Sequence, residues 1–253
     1  MRRALIFLYG SISYVMFLGV FVYLCLWMSN LFVPNTIDGA PRAPFLQALL
    51  TNLGLLALFG VQHSVMARPT FKKWWTTIIP VEAERSTYVL LTNFILILFF
   101  WQWQPMGGTI WNIQDPVMQM VVYGIYAFGW LLVLVSTFLI NHFDLFGLRQ
   151  VWMYLQGKKY TNLGFVTPGP YKMIRHPLYL GWLLVFWAAP VMTVAHLVFS
   201  IATTGYIFIA IQLEEKDLGS IHGRDYAEYK KKVPMILPFG KKKKLEGAYD
   251  QAT

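Results

Sequence analysis

Long apolar runs decide the solvent of this chain before any single residue does. They lie at about 4–28, 45–66, 86–103, 117–140 and 178–211, and a helix needs about 20 apolar residues to cross a hydrocarbon core. The last run has 34 residues, too many for one ordinary span. Pro190, near its middle, removes a helical N–H, which predicts two short helices paired as a hairpin. The expected fold is therefore an all-α integral membrane helical bundle of about six transmembrane helices. A five-span variant, with the terminal hairpin re-entrant, is the alternative.

Charge agrees with that solvent. Only 13% of the residues are charged, about half the usual share of a soluble domain, while 57% are hydrophobic and the mean hydropathy is +0.49. The net charge of +9 raises the question of nucleic acid. The basic residues gather between the apolar runs, however, where membrane lipid with anionic headgroups is the expected partner and nucleic acid is not. Lys and Arg occupy 2–3, 68–85, 149–175 and 216–244, whereas the alternate loops hold only Arg42. By the positive-inside rule both termini are cytoplasmic, as expected of a cell inner membrane protein. Arg2-Arg3 opens the chain as in a signal peptide, but no small-residue cleavage site follows, so a retained helix is expected. Cys25, the single cysteine, excludes an internal disulfide. The organisation expected is helices 1–4 over 1–140, a catalytic region over 141–239, and a basic flexible tail over 240–253.

Polar residues then stand out against this background. Thr51-Asn52 and Gln62-His63 are eleven residues apart, three helical turns, and share one face that must turn inward. After the breakers Pro168, Gly169 and Pro170, Arg175-His176 meets Pro177, which suits the first turn of a helix because its missing N–H would be unsatisfied there anyway. Arg175 and His176 thus sit at the positive dipole end of the fifth span, with Tyr179 and Gly181 in its first turns. A bland alternative is an interfacial anchor whose Arg and His snorkel into headgroups. The predicted topology brings His63, the segment Asn141 to Arg149, Arg175–Tyr179 and Glu214-Glu215 to one face, the cytoplasmic one. Titratable residues gathered at one face favour a site over scattered anchors.

At these residues the chain resembles a known family. Gly169-Pro170-Tyr171, Arg175-His176-Pro177-Leu178-Tyr179-Leu180-Gly181, Glu214-Glu215 and Tyr226-Ala227-Glu228-Tyr229-Lys230 are similar to the C-terminal signature of isoprenylcysteine carboxyl methyltransferase-like membrane proteins, over about 166–239. Upstream, Gln62 to Arg68, Glu84-Arg85-Ser86-Thr87-Tyr88 and Asn141 to Gln150 look like the thiol-methylating branch of that family, which acts on methanethiol. The resemblance implies S-adenosylmethionine as cofactor, held by Arg175, His176, Tyr179, Glu214 and Glu215, with Tyr171 and Tyr226 as neighbours. It implies a small-molecule thiol as substrate and dimethyl sulfide as product.

The chemistry fits those residue types. A sulfonium is attracted to the faces of Tyr179 or Tyr171. Arg175 suits a carboxylate, and Glu214 or Glu215 an ammonium or ribose hydroxyls. The nucleophile must be a thiolate, which calls for a base or a cationic neighbour. His142 and Asp144 are the expected activators, with Arg149 and His63 supporting the substrate pocket. Structural alternatives stand beside each: His142 and Asp144 capping a helix end, Arg149 as a basic anchor, His63 satisfying groups inside the bundle, and Glu214-Glu215 as a solvated helix end. His196 and His222 have no supporting neighbours and receive no role. No metal-binding spacing is present, so no metal is expected. The rivals are a prenylcysteine carboxylate or lipid amine as acceptor, and a non-enzymatic subunit of the kind found in nitrogen-oxide respiration.

Overall fold

The computed structural model describes residues 1–161 and 163–239; the basic tail expected over 240–253 lies outside the described residues. Four long helices follow the apolar runs: α1 (Arg2–Ser29), α2 (Phe45–Ala67), α4 (Glu84–Gln102) and α5 (Pro116–Ile140). Between α2 and α4 lies α3 (Pro69–Trp75), the Lys-Trp segment. Two short helices, α6 (His142–Leu145) and α7 (Leu148–Leu155), follow α5. The chain closes with α8 (Pro177–Trp187) and α9 (Val194–Lys232). Among the described residues, five helices are long and apolar enough to cross a membrane: α1, α2, α4 with the turn before it, α5 and α9. The protein is an integral membrane helical bundle.

The terminal hairpin differs from the expected pair of short helices. Its first arm, α8, has 11 residues, about 16 Å at 1.5 Å per residue, against a core of about 30 Å. The second arm, α9, has 39 residues and bends at Gly223. Extended chain follows α8. Residues 188–190 leave α8 and lead into strand β2 (Val191–Thr193), which pairs antiparallel with β1 (Thr109–Asn112). The Trp111 indole donates to the Ala189 carbonyl (2.9 Å), and the Ile113 N–H donates to the Pro190 carbonyl (3.0 Å). A β-pair in an otherwise helical bundle is the answer to Pro190, whose missing N–H stops α8 early.

α8 can be short because α5 holds it closely. A Cβ on Gly181 would lie 2.9 Å from the Gly129 carbonyl oxygen, and one on Gly129 would lie 3.0 Å from the Gly181 carbonyl oxygen. Small residues let two backbones approach where no hydrophobic force drives helices together in lipid. The apolar core runs from Val20, Trp27 and Met28 through Leu55, Phe99 and Trp103 to Val185 and Phe199. As the sequence pattern requires, Asn52 faces inward, donating to the Gln104 carbonyl (2.8 Å) and accepting from its N–H (2.9 Å).

Candidate active site

Distant stretches of chain converge at one end of the bundle. Pro177 opens α8, and the turn before it is clamped by chain returning from α9. The Arg175 N–H donates to the Pro234 carbonyl (2.9 Å) and the His176 N–H to the Met235 carbonyl (3.0 Å). Arg175 Nε donates to Glu215 Oε1 (2.8 Å), and its Nη1 to the carbonyls of Val233 (2.5 Å) and Lys230 (3.2 Å). Lys230 Nζ lies 2.6 Å from Glu215 Oε2, and His176 Nε2 3.1 Å from Glu215 Oε1. A buried carboxylate persists only when paired, and Glu215, 3% exposed, is engaged on both oxygens. It therefore braces Arg175 and His176 from behind rather than facing open space.

Glu214 does face that space. Its carboxylate is 43% exposed, 3.8 Å from His176 Nδ1. Tyr179 packs its ring 5.5 Å from that of His176. Burial, then the Glu214 charge, raise the Tyr171 phenol above its ordinary pKa. Tyr226, 3% exposed, packs its ring edge-on 5.8 Å from that of Phe165.

The cavity has a volume of about 1580 Å³. Drug-sized ligands occupy roughly 300–1,000 Å³, so a nucleoside and a second small molecule fit together. One wall carries Tyr171, Arg175, His176, Tyr179, Glu214 and Tyr226; the other carries Lys72, Arg85, His142 and Asp144.

On this second wall the expected activators are already engaged. His142, 4% exposed, stacks on Phe138 with ring centroids 4.3 Å apart. Thr137 donates its hydroxyl to the Leu134 carbonyl (2.7 Å), so it accepts from His142 Nδ1–H (2.9 Å). Nε2 is then the acceptor, taking the Tyr14 hydroxyl proton at 2.8 Å. Burial lowers the His142 pKa, in keeping with a neutral ring. Asp144 Oδ1 pairs with Arg149 Nη1 (2.9 Å), and Oδ2 accepts from the Tyr160 hydroxyl (3.2 Å). Arg149 also donates to the Thr161 carbonyl (2.9 Å), so Asp144 and Arg149 tie down the chain after α7. The turn between α6 and α7 is possible because Gly147 has φ 88° and sits against the Ser86 backbone, where a Cβ would lie 2.9 Å from the Ser86 nitrogen.

Of the expected residues, His63, Arg149 and Glu215 do not line the cavity. His63 lies between α2 and α4, with Nδ1 2.8 Å from the Tyr88 hydroxyl and its ring stacked on Phe59. Conversely, Lys72, Arg85 and His222 line it without having been expected. Lys72 belongs to a Lys-Trp segment that reads as an anchor, Arg85 to a recognised block with no role, and His222 to a stretch without polar company. Burial, then the neighbouring Arg85, lower the Lys72 pKa. Among the described residues no group of His, Cys, Asp and Glu could hold a metal ion.

Comparison with known proteins gives these walls a context. No family model matches the chain, and no solved structure matches it. A Crocosphaera subtropica protein named methanethiol S-methyltransferase is 55% identical over 243 residues, covering 96% of this chain and 95% of the relative. A Mycobacterium tuberculosis protein of the same name is 47% identical, covering 94% and 98%. Nurim of Xenopus laevis is 31% identical, covering 73% and 68%.

Proposed function

The chain belongs to the methanethiol S-methyltransferase family, and from that premise we propose that it methylates methanethiol to dimethyl sulfide with S-adenosylmethionine as donor. The observation that carries this reading is 55% identity along nearly the whole of both chains. Basic residues at 2–3, 68–85 and 149–175 lie toward the cavity end, which supports a cytoplasmic mouth by the positive-inside rule.

The walls suit this donor. Arg175 keeps Nη2 without a partner among the described residues, free for a carboxylate. Glu214 offers an exposed carboxylate to an ammonium, and Tyr171 and Tyr179 offer aromatic faces to a sulfonium. His176 and Glu215 hold Arg175 and the first turn of α8 in place. When bound, the donor supplies an electrophilic methyl group. The chain's own residues position two reactants and shield them from water, which is most of what an in-line displacement requires. His142 is a rigid neutral wall on the acceptor side, and Asp144 with Arg149 fixes the loop over it. His63 acts at a distance, by packing α2 on α4.

The test is to incubate purified protein with isotopically labelled S-adenosylmethionine and a panel of thiols, prenylcysteine and lipids. Labelled dimethyl sulfide is the expected product. A methylated prenylcysteine or lipid in its place, or no calorimetric binding of S-adenosylhomocysteine, overturns the reading.

A further inference from the structure

A thiol acceptor has to lose its proton, and the residues expected to take it are not free to do so. His142 has both ring nitrogens in hydrogen bonds. Asp144 carries a negative charge that opposes a thiolate beside it, and it is already held by Arg149 and Tyr160. A low thiol pKa needs a cationic neighbour.

That neighbour is present on the same wall. Arg68, Arg149 and Arg175 each pair with a carboxylate, Asp217, Asp144 and Glu215 respectively. Arg85 pairs with none among the described residues. Its Nε donates to the Leu145 carbonyl (2.7 Å), and its guanidinium carbon lies 5.1 Å from the Tyr88 ring centroid. The side chain is thus held from two sides, belongs to the cavity lining, and makes no hydrogen bond through either Nη among the described residues. An aimed guanidinium without a counter-charge is an anion site. Lys72 lines the cavity beside it, with Nζ 3.8 Å from Glu84 Oε1, the limit of an ion pair. The charged groups facing Lys72 are Arg68 at the end of α2, Glu84 and Arg85 on α4, and Asp144 on α6. Arg3, Glu82, Lys158 and Lys159 complete the cavity's charged lining on this side.

We propose that Lys72 and Arg85 form the acceptor subsite, in which Lys72 takes the proton of a small thiol and Arg85 holds the resulting thiolate. The inference rests on the thiol-methylating reading above. In the step, the S–H bond breaks, its electron pair stays on sulfur, and the proton joins the lone pair of an uncharged Lys72 amine. The thiolate then lies between a guanidinium and a new ammonium, and Lys72 later returns the proton to water. Burial, then the neighbouring Arg85, lower the lysine's pKa, which favours the uncharged amine the step needs.

The experiment follows the ultraviolet band of methanethiolate in protein saturated with S-adenosylhomocysteine, which has no methyl group to transfer. In the wild type the thiolate should appear with a midpoint about 1–3 pH units below that of the free thiol. Arg85→Gln and Lys72→Gln should return the midpoint to the free value with S-adenosylhomocysteine affinity unchanged. Lys72→Arg keeps the charge but not the titratable amine, so it should keep the low midpoint and lose at least about 100-fold in turnover. Arg85→Gln also frees the Leu145 carbonyl and could impair folding; the Lys72 amine makes no hydrogen bond among the described residues, so its variants carry the test alone. An unshifted wild-type midpoint, or a low midpoint that survives in Lys72→Gln, overturns the subsite. Failure of the wild type to bind S-adenosylhomocysteine at all overturns the methyltransferase reading as well.

Discussion

At one end of the bundle His176 lies 3.1 Å from Glu215, and at the other His196 lies 3.6 Å from Asp38. Both histidines and their partners are largely buried, yet their surroundings differ. His196 Nε2 donates to the Phe186 carbonyl (3.1 Å), and the Ser200 hydroxyl donates to the same oxygen (2.6 Å). That carbonyl would have been served by the N–H four residues on, which is Pro190 and has none. Thr193 donates to Asp38 and accepts from the His196 N–H, closing the gap between α8 and α9. The second cluster thus mends a broken helix. The first borders a cavity and leaves polar groups over among the described residues: Arg175 Nη2 and the Glu214 carboxylate. An ionisable pair inside a membrane protein is a strong hint of function, but it is a cavity beside the pair, present at His176 and, among the described residues, not at His196, that separates a site from a repair.

The sharpest way to break this contrast is to remove one polar side chain from each end. Arg175→Met leaves Glu215 buried with less compensation, and such losses cost about 3–5 kcal/mol; S-adenosylhomocysteine binding should vanish with it. To keep that result interpretable, Glu214→Gln spares the buried ion pair and should weaken binding about tenfold, the effect of losing a hydrogen bond to a charged group. At the closed end, His196→Ala removes a donor to the Phe186 carbonyl and should cost about 1–3 kcal/mol of stability. Ligand affinity, measured by calorimetry, should stay at its wild-type value. A fall in affinity in His196→Ala as large as that in Glu214→Gln would erase the distinction between the two ends.

A second intervention sharpens the contrast at the helix pair that joins them. Gly181→Ala places a Cβ 2.9 Å from both the Gly129 carbonyl oxygen and the Val133 nitrogen, backbone atoms that cannot rotate away. Overpacking of this kind costs about 1–3 kcal/mol, and it should lower the thermal unfolding temperature of detergent-solubilised protein. Because α8 starts four residues earlier, at the clamped turn, the shift should also weaken S-adenosylhomocysteine binding. Gly124→Ala on α5, where a Cβ meets nothing within 4 Å, should change neither quantity.

These contrasts also show what could be read in the residues themselves. Long apolar runs and the alternation of basic loops were enough to predict the bundle and to bring Arg175, Tyr179, Glu214, His142 and Asp144 to one end, because span length and loop charge are local properties. The limits are equally physical. His196 looked isolated because its partner Asp38 is far off in the chain, in a loop with no periodic signal. A proline in an apolar run fixed where α8 stops, but not that a β-pair would follow, since the strand residues Thr109–Asn112 gain their partner only in the fold. Glu214 and Glu215 are adjacent and chemically alike; only the helical rotation between them decides that one lines the cavity and the other braces it. Lys72 and Arg85 went unnoticed for the opposite reason, since basic residues at a membrane rim already have an ordinary explanation.

The smallest effect concerns His142, which belongs to the cavity wall yet has both ring nitrogens engaged. Its pKa is lowered by burial from an ordinary value near 6.5, so the folded protein binds fewer protons than the unfolded chain just below that pH. The neutral ring's contribution is complete above the unfolded pKa and is lost as the pH falls toward the folded one. Each unit of difference is worth about 1.4 kcal/mol. Thermal unfolding of the wild type should therefore move to lower temperature from about pH 6.5 downward. In His142→Gln, whose side chain can still meet Tyr14 or Thr137 but does not titrate, this part of the slope should disappear, leaving a lower but flatter curve. Curves that stay parallel down to pH 5 would mean that His142 accepts a proton without penalty, and with it that the ring is free enough to serve as the base itself in place of Lys72.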